Sequence, residues 1–377
     1  MRLDYQLATD QLSTLQDLYT ETFPEIDRRL RNLFTAGDLL SVKKVYVVGD
    51  GDSCHAALAS KNAFMRLTNV EYFAVPAMKF LAYEVDCIRD YSPNQSMVIG
   101  VSASGESKRV VQALQRTREK APDTRIVAMV GNPESSAAKA ADSVYDISIP
   151  ELGRAPGIRT YGASLFGLAA LAIRIGEIQN KYHMNEANAM RKLIAAQGSF
   201  IPKIIEDSNT VSEKITKWAK SPFFMTAGCG SHFGTAAFSA AKLMEIAGVY
   251  CIPQDLEEWM HVERFTYPVD TPLIVIAPGG ASFNHALKLM ETAKQIGHPV
   301  IAVTDQPEHG SIAARADAVI PVSGSLDEHF KQFLFYIPSV LIGAVLAKEL
   351  DRGMFMSGDE SIREPRAVMT RYLKEEV

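Results

Sequence analysis

Three serine hydroxyls and a glycine stand together in segment 102–107, whose sequence is SASGES. The segment lies between a short apolar run, 97–101, and a helix-like stretch, 108–118. Because the first turn of a helix has unpaired N–H groups and a partial positive charge, hydroxyls and glycine there can wrap a phosphate group. A serine N-cap would explain one of the hydroxyls but not three. The motif therefore predicts an anion site at Ser102, Ala103, Ser104 and Ser107.

A second loop, 49–53 with the sequence GDGDS, also follows an apolar run and precedes a helix-like stretch. Its GxG is weak evidence for dinucleotide binding, and the full GxGxxG fingerprint is broken because Cys54 stands at the last position. We therefore expect no NAD and no other cofactor. Gly51 and Ser53 are expected instead to face the same cleft as Ser102.

Lys242 and Glu245 are three residues apart, so they share one face of the helix predicted around them. An ordinary surface ion pair would have the same spacing. The surrounding stretch, 235–246, is almost entirely small or apolar, which indicates a buried helix instead. Buried charges require partners, and a desolvated glutamate holds its proton more tightly and suits general-base work. The pair is therefore a catalytic candidate.

Segment 257–261, EEWMH, places His261 beside two glutamates and offers a second candidate for acid–base chemistry. Taken alone, such a cluster is more often an exposed charged patch. The sequence contains neither an HExxH spacing nor a CxxC pair, so we expect no metal site. It also lacks a GxSxG elbow and a Cys/His signature, which argues against a covalent hydrolase.

Composition narrows the class of protein to which these residues belong. The chain has 377 residues, enough for about two domains, and 47% of them are hydrophobic. Its formal net charge of −5 argues against a basic nucleic-acid binder. The longest apolar run, 333–347, contains Pro338 and is shorter than the ~20 residues of a membrane span, so it predicts a buried helix and no membrane partner. Four cysteines without pairing motifs, and an N-terminus without a signal peptide, predict a cytoplasmic protein.

Two parts of the sequence resemble each other, which predicts a duplicated fold. Segments 126–147 and 300–322 share an apolar run, a turn with Pro and Glu, a small-residue helix and a second apolar run after Ala-Asp. Short β-branched runs, Gly/Ser turns and helix-like stretches recur along both halves, as in parallel sheets covered on both faces. The expected fold is α/β, with two tandem doubly wound parallel-sheet domains. We assign 1–30 to an N-terminal helix, 31–178 and 200–350 to the two domains, and 351–377 to a C-terminal tail.

In these motifs the sequence resembles the tandem sugar-isomerase (SIS) family, whose domains are flavodoxin-like. That family includes the isomerase half of glucosamine-6-phosphate synthase, the fructosamine-6-phosphate deglycases and the amino-sugar-phosphate isomerases and deaminases. The resemblance covers the chain from about residue 30 to the tail and matches segment 102–107 to the family's phosphate motif. The residues that it implicates are Ser53 and Ile158 as sugar contacts, Glu245 as the proton shuttle, Lys242 beside it, and His261 as a ring-opening group from a neighbouring subunit.

The sequence departs from the family in several places. No glutamine-hydrolysing domain precedes residue 1, so we do not expect glutamine-dependent amination. The family's C-terminal Schiff-base lysine falls at Thr370, and the nearby Arg371 and Lys374 are out of register. Arg159 stands beside the expected sugar site, where the family has a small residue. It is expected to read a second anionic group on the substrate, such as a carboxylate, or to reinforce phosphate binding.

The motifs and the resemblance together predict a metal-independent aldose–ketose isomerase acting on a phosphorylated sugar or amino sugar, with Glu245 as the base and His261 in ring opening. A fructosamine-6-phosphate deglycase or an amino-sugar-phosphate deaminase would use the same residues and is the first alternative. A phosphosugar-binding regulator without catalytic activity is the second. The expected partner is an anionic sugar bearing a phosphate or another anion such as a sulfonate, and the family implies a homodimer or homotetramer.

Overall fold

The computed structural model describes residues 2–153, 155–265, 268–359 and 361. It contains two five-stranded sheets in which neighbouring strands are parallel. The strands of the first sheet are β1 (Lys44–Gly49), β2 (Glu71–Pro76), β3 (Ser96–Ser102), β4 (Arg125–Val130) and β5 (Ser143–Asp146). Those of the second are β6 (Phe223–Gly228), β7 (Tyr250–Asp255), β8 (Leu273–Ile276), β9 (Val300–Thr304) and β10 (Ala318–Pro321).

Both sheets have the same strand order. The first is β2-β1-β3-β4-β5, and the second, read from the opposite edge, is β7-β6-β8-β9-β10. This is the flavodoxin-like order, in which strand addition changes direction between the first and third strands of each unit. Ligands of such sheets bind at the carboxyl ends of the strands beside that change. The loops after β1 and β3, and those after β6 and β8, are therefore the places to search for a site.

The strands confirm the expectation drawn from the apolar runs. Every residue of β3 and of β8 is buried, because helices cover both faces of each sheet. The fold class predicted from the sequence, an α/β chain with two tandem doubly wound parallel-sheet domains, is confirmed. The predicted strands at 45–48, 97–101, 224–227 and 273–277 coincide with β1, β3, β6 and β8 apart from single residues at their ends.

Helices connect the strands and pack on the sheets. In the first half they are Gln6–Ser13, Leu15–Asp17, the π-helical Leu18–Thr22, Phe23–Leu33, Ala36–Leu40, Asp52–Ala59, Lys61–Leu67, Ala77–Lys79, the π-helical Phe80–Glu84, the 3₁₀ turn Val85–Cys87, Lys108–Lys120, Ser136–Ala140 and Arg159–Ile178. In the second half they are Met184–Ala196, Ile201–Thr210, Ser212–Thr216, Ser231–Ala247, Leu256–His261, Phe283–Ile296, Gly310–Ala313, Gln332–Phe335 and Ile337–Glu349, with 3₁₀ turns at Gln197–Phe200, Glu263–Phe265, Glu328–Phe330 and Met354–Met356.

One hydrophobic core is shared by the two sheets. On β1, Val45 and Val47 face a central cluster that also contains Ile274 of β8. The alternate residues Tyr46 and Val48 face a separate outer cluster under the helices on the other side of the first sheet. Because side chains alternate along a strand, each sheet has one face toward the shared core and one toward its own outer helices. The shared core fixes the position of one domain relative to the other.

The most apolar helices lie inside the protein. Two stretches, Arg159–Ile178 and Gln332–Glu349, are long and apolar enough to cross a membrane by length and composition, but 83% of each apolar window is buried within the chain. This is the burial expected of core helices in a layered α/β protein. The apolar run 333–347 therefore belongs to buried helical structure, as predicted, with a short break at Tyr336 between its two helices.

The N-terminal segment differs from the single helix predicted over 1–30, and most of the predicted tail lies outside the described residues. The N-terminal segment is helical, but it consists of short consecutive helices that end at Leu33 rather than one helix over 1–30. Thr14 breaks the regular spiral, with φ −97° and ψ 3°. The tail positions Thr370, Arg371 and Lys374 lie outside the described residues.

Candidate functional site

The loop after β1 is built around Gly51, whose φ of +53° and ψ of −127° suit a residue without a side chain. This turn leads directly into helix Asp52–Ala59. Asp50 is held by two hydrogen bonds. Its Oδ1 accepts the N–H of Ala77 at 3.2 Å, and its Oδ2 accepts the hydroxyl of Ser107 at 3.2 Å. The loop after β1 is therefore tied to the hydroxyl-rich loop after β3.

The hydroxyls of the loop after β3 shape its main chain. The Ser102 hydroxyl accepts the N–H of Gly105 at 3.0 Å, and the Ser104 hydroxyl accepts the N–H of Glu106 at 3.1 Å. Gly105 has a φ of +71°, and a Cβ there would lie 2.0 Å from Ser135 Oγ, so the loop requires glycine at this position. Ser104 is exposed at the loop surface, where an incoming anion can reach it.

A pocket of 540 Å³ opens beside this loop. Its wall includes Ala103 and Ser104 on one side and Gly157 and Thr160 on another, at the start of helix Arg159–Ile178. The volume lies within the range of small-molecule sites. The pocket therefore brings the predicted anion loop together with the amino-terminal end of a second helix.

Ile158 and Arg159 are both buried at the start of that helix. Arg159 Nη1 donates to the Thr14 hydroxyl at 2.6 Å and to the Thr14 carbonyl at 3.1 Å, and Nη2 donates to the Pro150 carbonyl at 3.5 Å. The guanidinium, which lines the 540 Å³ pocket, thus holds the N-terminal segment against it. The predicted contacts of Ile158 and Arg159 with a substrate stay predictions.

Lys242 of the second domain reaches across to the loop after β1. Its side chain is 0% exposed, its Nζ is 2.6 Å from Asp52 Oδ2, and it also contacts the carboxylate of Glu245. The same Nζ lies 4.8 Å from the centre of the Phe238 ring, which covers the ammonium on another side. The predicted pairing of Lys242 with Glu245 and the predicted burial of their helix are both observed, and Asp52 is an additional partner.

A close helix crossing makes this contact between domains possible. Helix Ser231–Ala247 passes helix Asp52–Ala59 at Gly234, where a Cβ would lie 2.4 Å from the main-chain nitrogen of Ala59 and 2.8 Å from the carbonyl oxygen of His55. A side chain at Gly234 would push the helices apart. The absence of a side chain here therefore helps to place Lys242 next to Asp52.

The two carboxylates that share Lys242 differ in proton affinity. Burial would raise the pKa of Asp52, but the charge of Lys242 and the contact with His55 hold that pKa below its ordinary value. Burial raises the pKa of Glu245, and the neighbouring charge of Asp52 adds to the rise, while Lys242 offsets only part of it. Neighbouring carboxyl groups with pKa values moved in opposite directions form an acid–base arrangement. Glu245 is the member of this pair suited to exchange a proton.

Glu245 and the serine loop line different pockets. The Glu245 side chain is 36% exposed and lines a pocket of 480 Å³ together with Arg352 and Phe355. The link to the serine pocket runs through Asp52, because a Cβ on Gly157 would lie 2.4 Å from Asp52 Oδ2. The two groups of predicted residues line two separate pockets and are connected through Asp52.

His261 lies on the surface, at the end of helix Leu256–His261. Its side chain is 67% exposed, and its Nε2 is 2.9 Å from Glu257 Oε1. His285 Nε2 lies 2.7 Å from the other oxygen of the same glutamate. These contacts place His261 in a charged surface cluster, and its predicted role in ring opening stays a prediction. No group of three or more His, Cys, Asp or Glu side chains that could hold a metal ion was found within the described residues.

At the corresponding edge of the second sheet, side chains of the protein itself bind the main-chain N–H groups of the loop after β8, beside a pocket of 450 Å³ that Ala281 and Glu328 line. The N–H of Gly279 donates to Asp305 Oδ1 at 2.7 Å, and the N–H of Ala281 donates to Glu328 Oε1 at 3.1 Å. Lys331 Nζ is 2.5 Å from Asp305 Oδ2 and donates to the Gly279 carbonyl. Carboxylates of the chain thus occupy main-chain N–H groups of the kind that bind anions at helix starts.

Sequence reasoning located the serine loop and the Lys242–Glu245 pair but gave no role to Asp50 or Asp52. These two residues connect the serine loop to the pair. A signal for them was present, because two acidic residues in a loop expected to bind an anion are unfavourable unless each has its own partner. The partners lie far away in the sequence, so their identity came only from the structure.

A family model described as SIS domain matches residues 38–174 and 219–334, which contain the strands of the two sheets. Over 273 residues, or 71% of this chain, the sequence is 29% identical to the glutamine–fructose-6-phosphate aminotransferase (isomerizing) of Pyrococcus horikoshii, of which it covers 43%. The chain spans about half the length of the curated relatives it matches.

Two solved structures have a similar fold. The C-terminal domain of glucosamine-fructose-6-phosphate aminotransferase from Francisella tularensis matches with a TM-score of 0.79 and 14% identity, over 92% of this chain and 97% of that chain. Glucosamine-6-phosphate deaminase from Thermotoga maritima matches with a TM-score of 0.70 and 18% identity, over 92% and 94% of the two chains. At these identities the similarity is one of fold.

Proposed function

The chain belongs to the SIS domain family, and on that premise we propose that it is an aldose–ketose isomerase-type enzyme acting on a phosphorylated sugar or amino sugar. The observation that carries the proposal is the position of the loop after β1 between two chemical groups. On one side, Asp50 binds the hydroxyl of Ser107 in the serine motif. On the other side, Asp52 binds Lys242, which contacts Glu245. An anion loop and an acid–base pair are therefore held by a single short turn.

In the proposed reaction the serine loop holds the phosphate of the sugar. Exposed Ser104 is the first hydroxyl that an anion would meet, and the start of the 13-residue helix Lys108–Lys120 supplies main-chain N–H groups behind it. The Ser107 hydroxyl would turn from Asp50 toward a phosphate oxygen. The full set of proposed phosphate and sugar contacts is Gly51, Ser53, Ser102, Ala103, Ser104, Ser107 and Ile158, with buried Arg159 beside them.

Glu245 would move the proton on which the isomerisation depends. In the open-chain sugar it removes a proton from C1 or C2, which leaves a cis-enediol or enolamine, and it returns the proton to the other carbon. The raised pKa of Glu245 supports this role, because a carboxylate that holds its proton more tightly is a better base. Lys242 would stabilise the oxyanion that develops or tune Glu245.

Ring opening would require His261 from a second copy of the chain. The exposure of His261, together with exposed Val262 and Phe265 close to it in sequence, supports a site completed by another subunit. In that assembly, a homodimer or homotetramer, the imidazole would move a proton at the ring or anomeric oxygen. A partner would then also cover the pocket beside Glu245.

The same residues support one close alternative. With an amino sugar or fructosamine 6-phosphate, the intermediate can be an imine, which water attacks so that the amine leaves and oxygen replaces nitrogen. The enzyme would then be a deaminase or a deglycase. The similar fold of the Thermotoga maritima glucosamine-6-phosphate deaminase fits this alternative without favouring it over isomerisation.

Turnover of phosphorylated ketoses and fructosamine 6-phosphates, followed by NMR in D₂O, tests the proposal. An isomerase is expected to introduce deuterium at C1 or C2 while it forms the aldose, whereas a deaminase or deglycase releases an amine. Glu245→Gln is expected to lower kcat about 10²–10⁴-fold with little change in affinity, because it removes the acid–base group. Ser104→Ala is expected to weaken binding roughly 10–100-fold, the cost of one hydrogen bond to a charged group.

Each failure has a separate meaning. Binding of phosphosugars without turnover or deuterium exchange would identify a phosphosugar-binding regulator. Full activity of Glu245→Gln would overturn the assignment of the base. Equal loss of binding in Ser104→Ala and in Glu245→Gln would contradict the division of labour between the two domains.

A further inference from the structure

Asp52 lies in a loop that the sequence singled out, but its carboxylate received no role there. It begins helix Asp52–Ala59, and its Oδ2 is 2.6 Å from the ammonium of Lys242. On the other side the turn at Gly157 passes so close that a Cβ there would lie 2.4 Å from the same oxygen. The carboxylate is therefore fixed between a loop of its own domain and a lysine of the other domain.

The ammonium of Lys242 contacts two carboxylates rather than one. Its side chain is completely buried, its Nζ contacts both Asp52 and Glu245, and the ring of Phe238 covers it. One positive charge is thus placed between two carboxylates. Buried pairs of this kind need good geometry and full compensation, and here one cation cannot fully compensate two anions.

We propose that Asp52 is a positioning residue for proton transfer by Glu245: by binding Lys242 from the opposite side, it prevents this ammonium from neutralising Glu245. The proposal rests on the function proposed above. If Asp52 were neutral, Lys242 would serve Glu245 alone, and Glu245 would become a weaker base that is held as a permanent carboxylate. The opposite pKa directions of Asp52 and Glu245 agree with this division, since the first stays ionised while the second can exchange its proton.

Other charged groups face the same triad. His55 Nδ1, on the helix of Asp52, lies 3.6 Å from Asp52 Oδ1, so a proton on His55 would add a second positive charge. From the C-terminal side, Arg352 lines the pocket of Glu245, but its Nη1 donates to the carbonyls of Ala247 and Gly248. From helix Arg159–Ile178, buried Tyr161 has its pKa raised by burial and by the charge of Asp52, and it stays neutral. The balance between Asp52 and Lys242 therefore sets the local charge beside Glu245, and His55 is the other titratable group in contact with Asp52.

The test is a direct titration of Glu245 that needs no substrate. Glutamate labelled with ¹³C at the side-chain carboxyl carbon is observed by NMR against pH, and Glu245→Gln identifies the signal. Two variants remove the Asp52 carboxylate: Asp52→Asn, and Asp52→Ser, which introduces the residue type found at the equivalent position of the second domain. Both are expected to lower the proton affinity of Glu245 about tenfold or more. Asp50→Asn is the matched control, since Asp50 lies in the same loop but binds Ala77 and Ser107 instead of Lys242.

An unchanged Glu245 titration in both Asp52 variants overturns the proposal, and so does an equal shift in Asp50→Asn. If neither Asp52 variant folds, labelled aspartate in the wild-type protein decides, because Asp52 must remain ionised over the whole pH range in which Glu245 titrates. With a turned-over phosphosugar, the acid limb of the kcat/KM profile should move to lower pH in Asp52→Asn. If no phosphosugar is turned over, the proposed function fails, while the titration still decides the role of Asp52.

Discussion

The two SIS domains have nearly the same main chain in the turns after β1 and β6 but very different side chains at this edge of their sheets. Gly51 and Gly230, which begin the helices after β1 and β6, have φ/ψ values of 53°/−127° and 60°/−126°. Alignment on these glycines makes His232 the counterpart of Ser53. In the loops after β3 and β8, the strand pairing aligns Ser102 and Ser104 with Ala277 and Gly279, which have no hydroxyl. Ser107 keeps a hydroxyl counterpart in Ser282, since each of the two precedes the helix that follows its loop.

These side chains determine whether the main chain at each edge is free to bind an external anion or is bound by the protein's own carboxylates. The first edge is open, with Ser104 exposed above a pocket of 540 Å³. The second edge binds its own carboxylates, because Glu328 and Asp305 accept main-chain N–H groups and Lys331 balances Asp305. A backbone able to bind an anion is thus not sufficient, since the chain can supply the anion itself. In our proposal the second domain contributes Lys242 and Glu245 from its helix instead of a second anion site.

Among the substitutions that test this comparison, removal of the Lys331 charge is expected to change protein stability the most. Lys331 and Asp305 are only 13% and 16% exposed, so Lys331→Met leaves Asp305 poorly compensated inside the second edge. Loss of one partner of a buried pair costs about 3–5 kcal/mol. Urea unfolding should show this loss in the free energy of unfolding. Ser104→Ala at the open first edge is the matched variant and should change stability by less than about 0.5 kcal/mol. Equal losses in the two variants would mean that the Lys331–Asp305 ion pair does not stabilise the second edge.

A buried histidine in the first turn of helix Ser231–Ala247 should make the stability of the second domain sensitive to acid. His232 is buried, neither ring nitrogen has a hydrogen-bond partner in the part of the chain that the structure describes, and burial together with the charge of Lys331 lowers its pKa to about 4. Below pH 6.5 the side chain of His232 becomes protonated in the unfolded chain, whereas in the folded protein it stays neutral until about pH 4. The free energy of unfolding therefore falls as the pH decreases from 6.5 to 4, by about 3 kcal/mol.

His232→Ser, which introduces the residue type of its counterpart Ser53 in the first domain, tests this acid sensitivity. The substitution lowers stability at every pH because it leaves a cavity, but it should remove this part of the slope between pH 6.5 and 4. Denaturant titrations at several pH values measure that slope. Exposed His261, replaced by Gln, is the control that should leave it unchanged. A wild-type slope that persists in His232→Ser would assign the acid sensitivity to other groups.

Much of the fold could be predicted because its signals are local. Continuous apolar runs, Gly/Ser turns and small-residue helices identified four of the five strands in each sheet but not the edge strands β2 and β7. The buried helix around Lys242 was predicted from its lack of polar neighbours. The prediction for the N-terminal segment was less accurate, because no helix-breaking residue in the sequence marks the break at Thr14. Thr14 accepts from the guanidinium of Arg159, a contact over 145 positions that periodicity does not reveal.

The site was predictable only in its separate parts. Segment 102–107 and the Lys242–Glu245 pair were recognisable from residue types and spacing, but Asp52, which connects them, gains its meaning from a lysine 190 positions away. The contacts of Asp305, Glu328 and Lys331 with the loop after β8 were equally hidden, because acidic residues in loops are ordinary in sequence. Contacts between distant charges are what the three-dimensional structure added.

Removal of the Glu328 carboxylate from the second edge is expected to have the smallest effect on stability, but it tests most directly what separates the two edges. In Glu328→Ser the N–H of Ala281 loses its carboxylate, and Lys331 remains nearby through its contact with Gly279. If the protein's own anion is what keeps phosphate out, the variant should gain a weak site for inorganic phosphate. In a Ser104→Ala background, which weakens the first site, thermal unfolding should then respond to phosphate but not to chloride at equal ionic strength. At ten times the Kd the expected gain is about 1.4 kcal/mol. No response to phosphate would mean that the missing hydroxyls, rather than Glu328, separate the two edges.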